Sequence, residues 1–154
     1  MLNKDYRDIL LSLHEEKAEY ILVGAYALAA HGYPRATMDI DIWVKPSPEN
    51  SDSVLKALKR FGAPLNTLTK NDLLLDDTIF QIGVAPRRID IITGASGLLF
   101  EEAKKNAVKV KIDGLEILVL SLKDLIKNKI TSGRPKDLLD AEMLKSIACK
   151  QKKK

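Results

Sequence analysis

Apolar positions along this 154-residue chain recur with two periods, one helical and one of alternating strands. Tyr6, Ile9, Leu10 and Leu13 fall at helical spacing, so the first twenty residues are predicted to form an amphipathic helix. Tyr20 to Val23 reads as a buried strand that Gly24 ends, and Ala25 to Ala30 is rich in helix formers, with Gly32 and Pro34 closing that segment. Asp39 to Val44 is the next strand. Ser47 before Pro48 marks a helix start that leads into Val54, Leu55, Leu58 and Phe61 and stops at Gly62.

Thr69 to Asp72 is predicted to cap a short helical turn, and strands follow at Thr78 to Val84 and Arg88 to Thr93. A short helix around Leu98 to Lys105 precedes strands at Val108 to Ile112 and Leu115 to Leu120. Between these two, Asp113-Gly114 is a two-residue hairpin signal. Ser121 to Asp124 is a capping-box variant opening a helix with Leu122, Leu125, Ile126 and Ile130 on one side, and Gly133 and Pro135 separate it from a last helix, Lys136 to about Ala148. This order predicts an α+β fold (α/β mixed), a mixed β-sheet with helices mainly on one face.

Within that pattern the run from Met38 to Val44 is unusual, because Asp39 and Asp41 interrupt an apolar strand. Strand side chains alternate, so the two carboxylates share one face while Ile40 and Ile42 pack on the other. Neighbouring like charges raise each other's pKa and destabilise the fold unless a cation compensates them. Asp90 lies between isoleucines in a second strand. If the strands are adjacent, three carboxylates converge, the ligand set of a two-metal site whose ions sit about 3.5–4 Å apart. Magnesium suits such hard oxygen donors, with a triphosphate and water completing its shell. The alternative for Asp90 is a salt bridge to Arg88, which has the same parity.

Gly24 stands at a strand-to-helix turn fifteen residues before Asp39, where backbone N–H groups can approach a phosphate. Arg35 and Thr37 lie immediately upstream of the aspartates; Arg35 either orients a phosphate or pairs with an aspartate. Lys129 falls on the inward stripe of its helix and needs an anion, a triphosphate or a buried aspartate. Arg134, Asp137 and Asp140 follow, the two aspartates on one side of the last helix. His31 reads as a helix-end packing residue, and Trp43 as a core residue despite its parity with the carboxylates.

Length suits one domain, residues 1–148, followed by a basic disordered tail, 149–154. The formal charge of +4 rests on Lys150, Lys152, Lys153 and Lys154, so the body is nearly neutral. A lone cysteine, Cys149, excludes an internal disulfide and fits a reducing setting. The charged N-terminus lacks the apolar core of a signal peptide and no run reaches membrane-spanning length, so a cytoplasmic protein without membrane contact is expected.

The segment Val23 to Val44 (VGAYALAAHGYPRATMDIDIWV) resembles the first motif of the DNA polymerase β-like nucleotidyltransferase superfamily, and in particular the small proteins related to AbiEii-type toxins. The run Leu120 to Asp140 is similar to the Lys…Arg-x-Lys-Asp signature near the end of those proteins. The resemblance implies a magnesium-dependent nucleotidyltransferase that moves a nucleoside monophosphate from an NTP to a hydroxyl on an RNA end, a protein or a small molecule, and releases pyrophosphate. It implies that Asp39, Asp41 and Asp90 hold two magnesium ions, that Gly24 and Ala25 form the phosphate turn with Arg35 and Thr37 nearby, and that Lys129 contacts the triphosphate. Asp137 matches an acidic residue near the family's active site, supported by Arg134. A toxin–antitoxin partner is implied as well.

One position departs from the motif: the superfamily usually has Gly-Ser or Gly-Gly, and Ala25 has no hydroxyl to donate to the triphosphate. The alternative function is therefore a catalytically silent nucleotide-binding or partner-binding module, such as a toxin–antitoxin component. A glycosyltransferase using Asp-x-Asp ranks last, since only 38 residues precede Asp39 and such enzymes need a larger nucleotide-binding half.

Overall fold

Six strands form one mixed sheet in the order β3-β4-β2-β1-β6-β5 in a computed structural model that describes residues 2–152. The strands are β1 (Tyr20–Val23), β2 (Asp39–Val44), β3 (Ile79–Ile82), β4 (Arg88–Ile92), β5 (Val108–Ile112) and β6 (Leu115–Val119). Six α-helices accompany them: α1 (Lys4–Glu15), α2 (Gly24–Ala30), α3 (Pro48–Phe61), α4 (Phe100–Asn106), α5 (Leu122–Ser132) and α6 (Pro135–Lys152). The fold is α+β in a single domain.

Local chemistry sets the element ends. Ser47 and Ser121 accept hydrogen bonds from the backbone N–H groups of Asn50 and Asp124, satisfying donors that a helix start leaves free. Gly62 and Gly133 end α3 and α5 in the left-handed conformation, which glycine adopts without a Cβ penalty. Asp113 and Gly114 both take positive φ, 49° and 84°, giving the twisted two-residue turn that joins β5 to β6. At Asp72–Leu74 the expected turn is a 3-10 helix, opened by reciprocal bonds between Thr69 and Asp72.

The last helix runs further than the expected end at Ala148, reaching Lys152. Nothing between Cys149 and Lys152 breaks a helix, and lysines at a helix C-terminus complement its dipole. The tail residues Lys153 and Lys154 lie outside the described residues. No helix among those described is long and apolar enough to cross a membrane.

Two pairings position the chemistry. β1 and β2 run antiparallel with Val23 opposite Asp41, and β2 and β4 run parallel with Asp39 opposite Arg88 and Asp41 opposite Asp90. Ile40, Ile42, Ile89 and Ile91 fill the other face at 1% exposure or less, each worth about 1.5–3 kcal/mol. Tyr6, Ile9, Leu10 and Leu13 of α1 and Val54, Ala57 and Leu58 of α3 join them in one core. Buried Asn50 ties α3 to the strand ends, accepting from Glu19 N and donating to the carbonyls of Glu19 and Lys45. The two central strands are therefore held from both sides at fixed register.

Candidate active site

Register alone brings Asp39, Asp41 and Asp90 together, because β2 and β4 are adjacent and parallel. One oxygen of each carboxylate lies within 4.8 Å of the others. Asp39 is oriented by Thr37, whose hydroxyl donates to its Oδ1 at 2.9 Å, and by Arg88, whose Nη2 lies 2.6 Å from its Oδ2. Arg88 also reaches Asp90, through Nε at 3.0 Å and Nη2 at 3.1 Å. The salt bridge anticipated from parity thus exists and spans two aspartates.

One guanidinium against three carboxylates leaves the cluster negative. Burial, followed by the charges of Asp39 and Asp90, pushes Asp41 up to about 7. Such a site stabilises any cation that replaces that proton. The donor set, all carboxylate oxygen, fits magnesium.

Gly24 serves this cluster directly. It adopts φ +67°, and a Cβ there would collide with Asp41 Oδ2. The glycine at the turn is therefore required by the approach of a carboxylate, whatever else its N–H groups contact.

Beside the carboxylates opens a cleft of about 400 Å³ lined by Gly24, Ala25, Arg35, Thr37, Asp39, Asp41, Lys129, Arg134 and Asp137, with Leu28, Ala36 and Lys136. Every residue that the resemblance assigned to the site lines it except Asp90, which joins through the carboxylate cluster. Along its far wall the charges are paired. Lys129 Nζ lies 3.3 Å from Asp137 Oδ1 and 3.2 Å from Asp140 Oδ2, Arg35 Nη1 lies 2.6 Å from Asp140 Oδ1, and Arg134 Nε lies 2.6 Å from Asp137 Oδ2. Burial opposes the charge on Asp137, but hydrogen bonds from Ser132 and Arg134 and the Lys129 ammonium outweigh it and hold the carboxyl at about 2. Of the two alternatives for Lys129, a triphosphate or a buried aspartate, the structure shows the second, with Asp137 and Asp140 both at its ammonium.

Sequence reasoning undervalued Arg88 and Asp140. Arg88 entered only as a partner for Asp90, although parity and a β2–β4 pairing together would have placed it opposite Asp39. Asp140 read as one member of a helix-surface pair, yet it is 2% exposed and receives both Arg35 and Lys129. Tyr6 had no expected link to the site; its hydroxyl donates to the carbonyl of Arg88 at 3.1 Å, fixing the start of β4. His31 and Trp43 are packing residues as expected: His31 Nε2 lies 2.8 Å from the Leu120 carbonyl, and Trp43 meets Phe100 edge-on.

A family model for nucleotidyltransferases of unknown function, DUF6036, matches residues 2–148. The chain belongs to that nucleotidyltransferase family. No curated protein matches it in sequence. Among solved structures, TM1012 of Thermotoga maritima, provisionally assigned as a nucleotidyltransferase, is 16% identical with a TM-score of 0.57, covering 97% of this chain and 96% of its own. The lincosamide antibiotic adenylyltransferase LnuA, solved with lincomycin bound, is also 16% identical, with a TM-score of 0.59 over 96% of this chain and 98% of that one. Both share the fold of this chain over nearly its whole length.

Proposed function

We propose that this family member is a magnesium-dependent enzyme that transfers a nucleoside monophosphate from an NTP to a hydroxyl acceptor and releases pyrophosphate. The observation that carries the reading is the convergence of Asp39, Asp41 and Asp90 on the edge of a cleft whose other wall presents Lys129 and Arg134. Magnesium held by the three carboxylates would neutralise the triphosphate and lower the pKa of the attacking hydroxyl.

The protein's own groups do the rest by positioning. Thr37 and Arg88 hold Asp39 in one orientation, and Gly24 lets Asp41 sit against the turn. The backbone N–H groups at Gly24 and Ala25 meet phosphate oxygens, while Lys129 and Arg134, steadied by Asp137, face the leaving pyrophosphate. Arg35 braces the same wall through Asp140. Asp90 receives the acceptor proton as the new O–P bond forms. The lincomycin-bound adenylyltransferase of the same fold supports a small molecule as one class of acceptor. A cytoplasmic setting and a toxin–antitoxin partner belong to the same proposal, and co-purification from the native host tests the partner.

Incubating labelled ATP, CTP, GTP and UTP with cell extract, beside an Asp39→Ala/Asp41→Ala control, tests the reading. Label in a macromolecule or small molecule that depends on both aspartates supports it, and pyrophosphate release that survives the double variant defeats it.

A second reading, a catalytically silent nucleotide-binding module, is favoured by two observations. Ala25 offers no hydroxyl at the phosphate turn, and Lys129 is already engaged by two aspartates. Calorimetry with magnesium and each NTP separates the two: binding without pyrophosphate release, whatever acceptor is added, selects the silent module.

A further inference from the structure

The sheet has a free edge at β5 and another at β3, and the two differ in charge. Lys109 and Lys111 stand exposed on β5 and point to the same face. Lysines on an edge strand oppose its pairing with another chain, because like charges meet across the new strand pair. On β3 no charged residue occurs between Thr78 and Pro86. Ile79 is 65% exposed and Val84 78%, although both are large and apolar.

The register of β3 on β4 decides which of its backbone groups are free. Thr93 N donates to the Thr78 carbonyl at 3.1 Å, and Arg87 N donates to the Val84 carbonyl at 3.0 Å. Facing residues of an antiparallel pair exchange hydrogen bonds at every second position, so between those two points Phe80 and Ile82 bond to Ile91 and Ile89. The N–H and C=O groups of Ile79 and Gln81 therefore point away from β4, toward the open edge. No loop backbone among the described residues bonds to them.

These groups are spaced to pair with a copy of themselves. A two-fold axis beside Phe80 sets Ile79 opposite Gln81 of the second copy and Gln81 opposite its Ile79, each pair exchanging two N–H···O bonds. Phe80 meets its counterpart at the position between, where facing side chains come closest. The same axis sets Asp76 and Asp77 opposite Val84 and Gly83 of the second copy, beside Arg87 in its β3–β4 turn. Asp76, Asp77 and Arg87 are exposed, and none is in an ion pair among the described residues. Each end of the strand pair thus joins two carboxylates to a guanidinium. On β5 an equivalent axis at Val110 sets Lys109 against Lys111.

We infer that β3 is a self-association edge, at which two copies pair antiparallel and continue the sheet from one into the other. Facing residues of such a pair lie on one side of the sheet, so both carboxylate clusters open on the same face. Asp90 lies opposite Gln81, which places the two Asp90 residues three strand spacings apart, about 14 Å across the sheet. One strand and its flanking loops per copy make a small interface, below about 1,200 Å² in total, so the dimer is reversible and depends on concentration. The inference is independent of the catalytic reading.

Hydrogen exchange followed by NMR, beside sedimentation, reads the pairing residue by residue on the full chain from micromolar to millimolar concentration. Expected is a dimer in which the Ile79 and Gln81 amides gain at least ten-fold protection as concentration rises, while those of Phe80 and Ile82 are protected throughout. Gln81→Pro removes an outward N–H and no bond to β4, so it should weaken the dimer at least ten-fold. Ile79→Lys/Gln81→Lys copies the β5 pattern onto β3 and should abolish the dimer, with the melting temperature showing that the fold is kept. Arg87→Glu should weaken association, and Asp76→Arg/Asp77→Arg added to it should restore it. A chain whose Ile79 and Gln81 amides exchange freely at millimolar concentration overturns the inference, and so does a dimer that survives the lysine pair. A peptide of residues 76–84 should compete with the dimer. If a scrambled version protects the same amides equally, the edge accepts any extended strand and the choice of a second copy is overturned.

Discussion

Two groups of aspartates face the same cleft and are solved in opposite ways. Asp39, Asp41 and Asp90 share a single guanidinium, and Asp41 is pushed up to about 7. Asp137 and Asp140 are more deeply buried, yet Lys129, Arg134 and Arg35 balance them and Asp137 is held at about 2. Burial is common to both, so the difference lies in cations. The first cluster takes up a proton at Asp41 where no other cation is bound, whereas the charges of the second are balanced by its own residues and it serves as a wall. A carboxylate cluster left short of cations by its own fold is a candidate binding site.

Substitution at each cluster should therefore have opposite consequences for stability. Asp41→Asn is expected to reduce nucleotidyl transfer by a thousand-fold or more, about 4 kcal/mol in barrier, while the protein stays folded and unfolds at equal or higher temperature. An unchanged transfer rate, or a lowered melting temperature, would break the comparison. Asp140→Ala does the reverse: it strands Arg35 and Lys129 without a shared partner and should cost about 3–5 kcal/mol, read as a lowered midpoint in denaturant.

Acid titration sharpens the same contrast. Asp137 binds its proton less readily folded than unfolded, so its stabilisation is present above about pH 4 and fades as pH falls toward 2. Asp41 binds its proton more readily folded, so its effect is the reverse: stability falls as pH rises from about 4 to 7. A shift of that size corresponds to about 4 kcal/mol if the folded cluster keeps its full effect, and to less where water reaches it. The two groups together give a maximum near pH 4. Magnesium should raise the limb above it, with proton release near pH 6 in calorimetry, and Asp41→Asn should flatten that limb. A stability curve rising steadily from pH 4 to 7 without metal would remove the premise.

Gly24→Ala tests the link between turn and cluster. The positive φ and the collision with Asp41 Oδ2 together predict a loss of about 1–3 kcal/mol in stability, with a larger relative loss in magnesium affinity, because the carboxylate must move to make room. If magnesium binds the variant as tightly as the parent, the glycine serves only the turn.

What the sequence made legible follows the range of the interactions. Serine caps, terminal glycines and the Asp113-Gly114 turn act within four residues, so element order and the α+β class could be read directly. The carboxylate face was legible because strand parity is local, and Asp90 joined it on one assumption of adjacency that the β2–β4 register satisfies. Arg88 and Asp140 were harder, since their importance depends on what lies across a strand pair or between two helices. The open edge of β3 was illegible, because which of its backbone groups face outward is decided only once β3 has paired with β4.

The smallest predicted effect concerns Ala25, the one position that departs from the superfamily motif. Ala25 lines the cleft beside Gly24, so a hydroxyl introduced there would face the space assigned to the triphosphate. Ala25→Ser adds one hydrogen bond to a charged oxygen, worth about 1.5–3 kcal/mol at best and less after the serine loses rotamer freedom. If the enzyme already holds its nucleotide through backbone N–H groups and cations, KM for the NTP should fall only a few-fold and kcat should barely change. A protein that gains pyrophosphate release only through Ala25→Ser would instead have been a silent binder, its cluster of unbalanced aspartates retained for the metal–nucleotide complex alone.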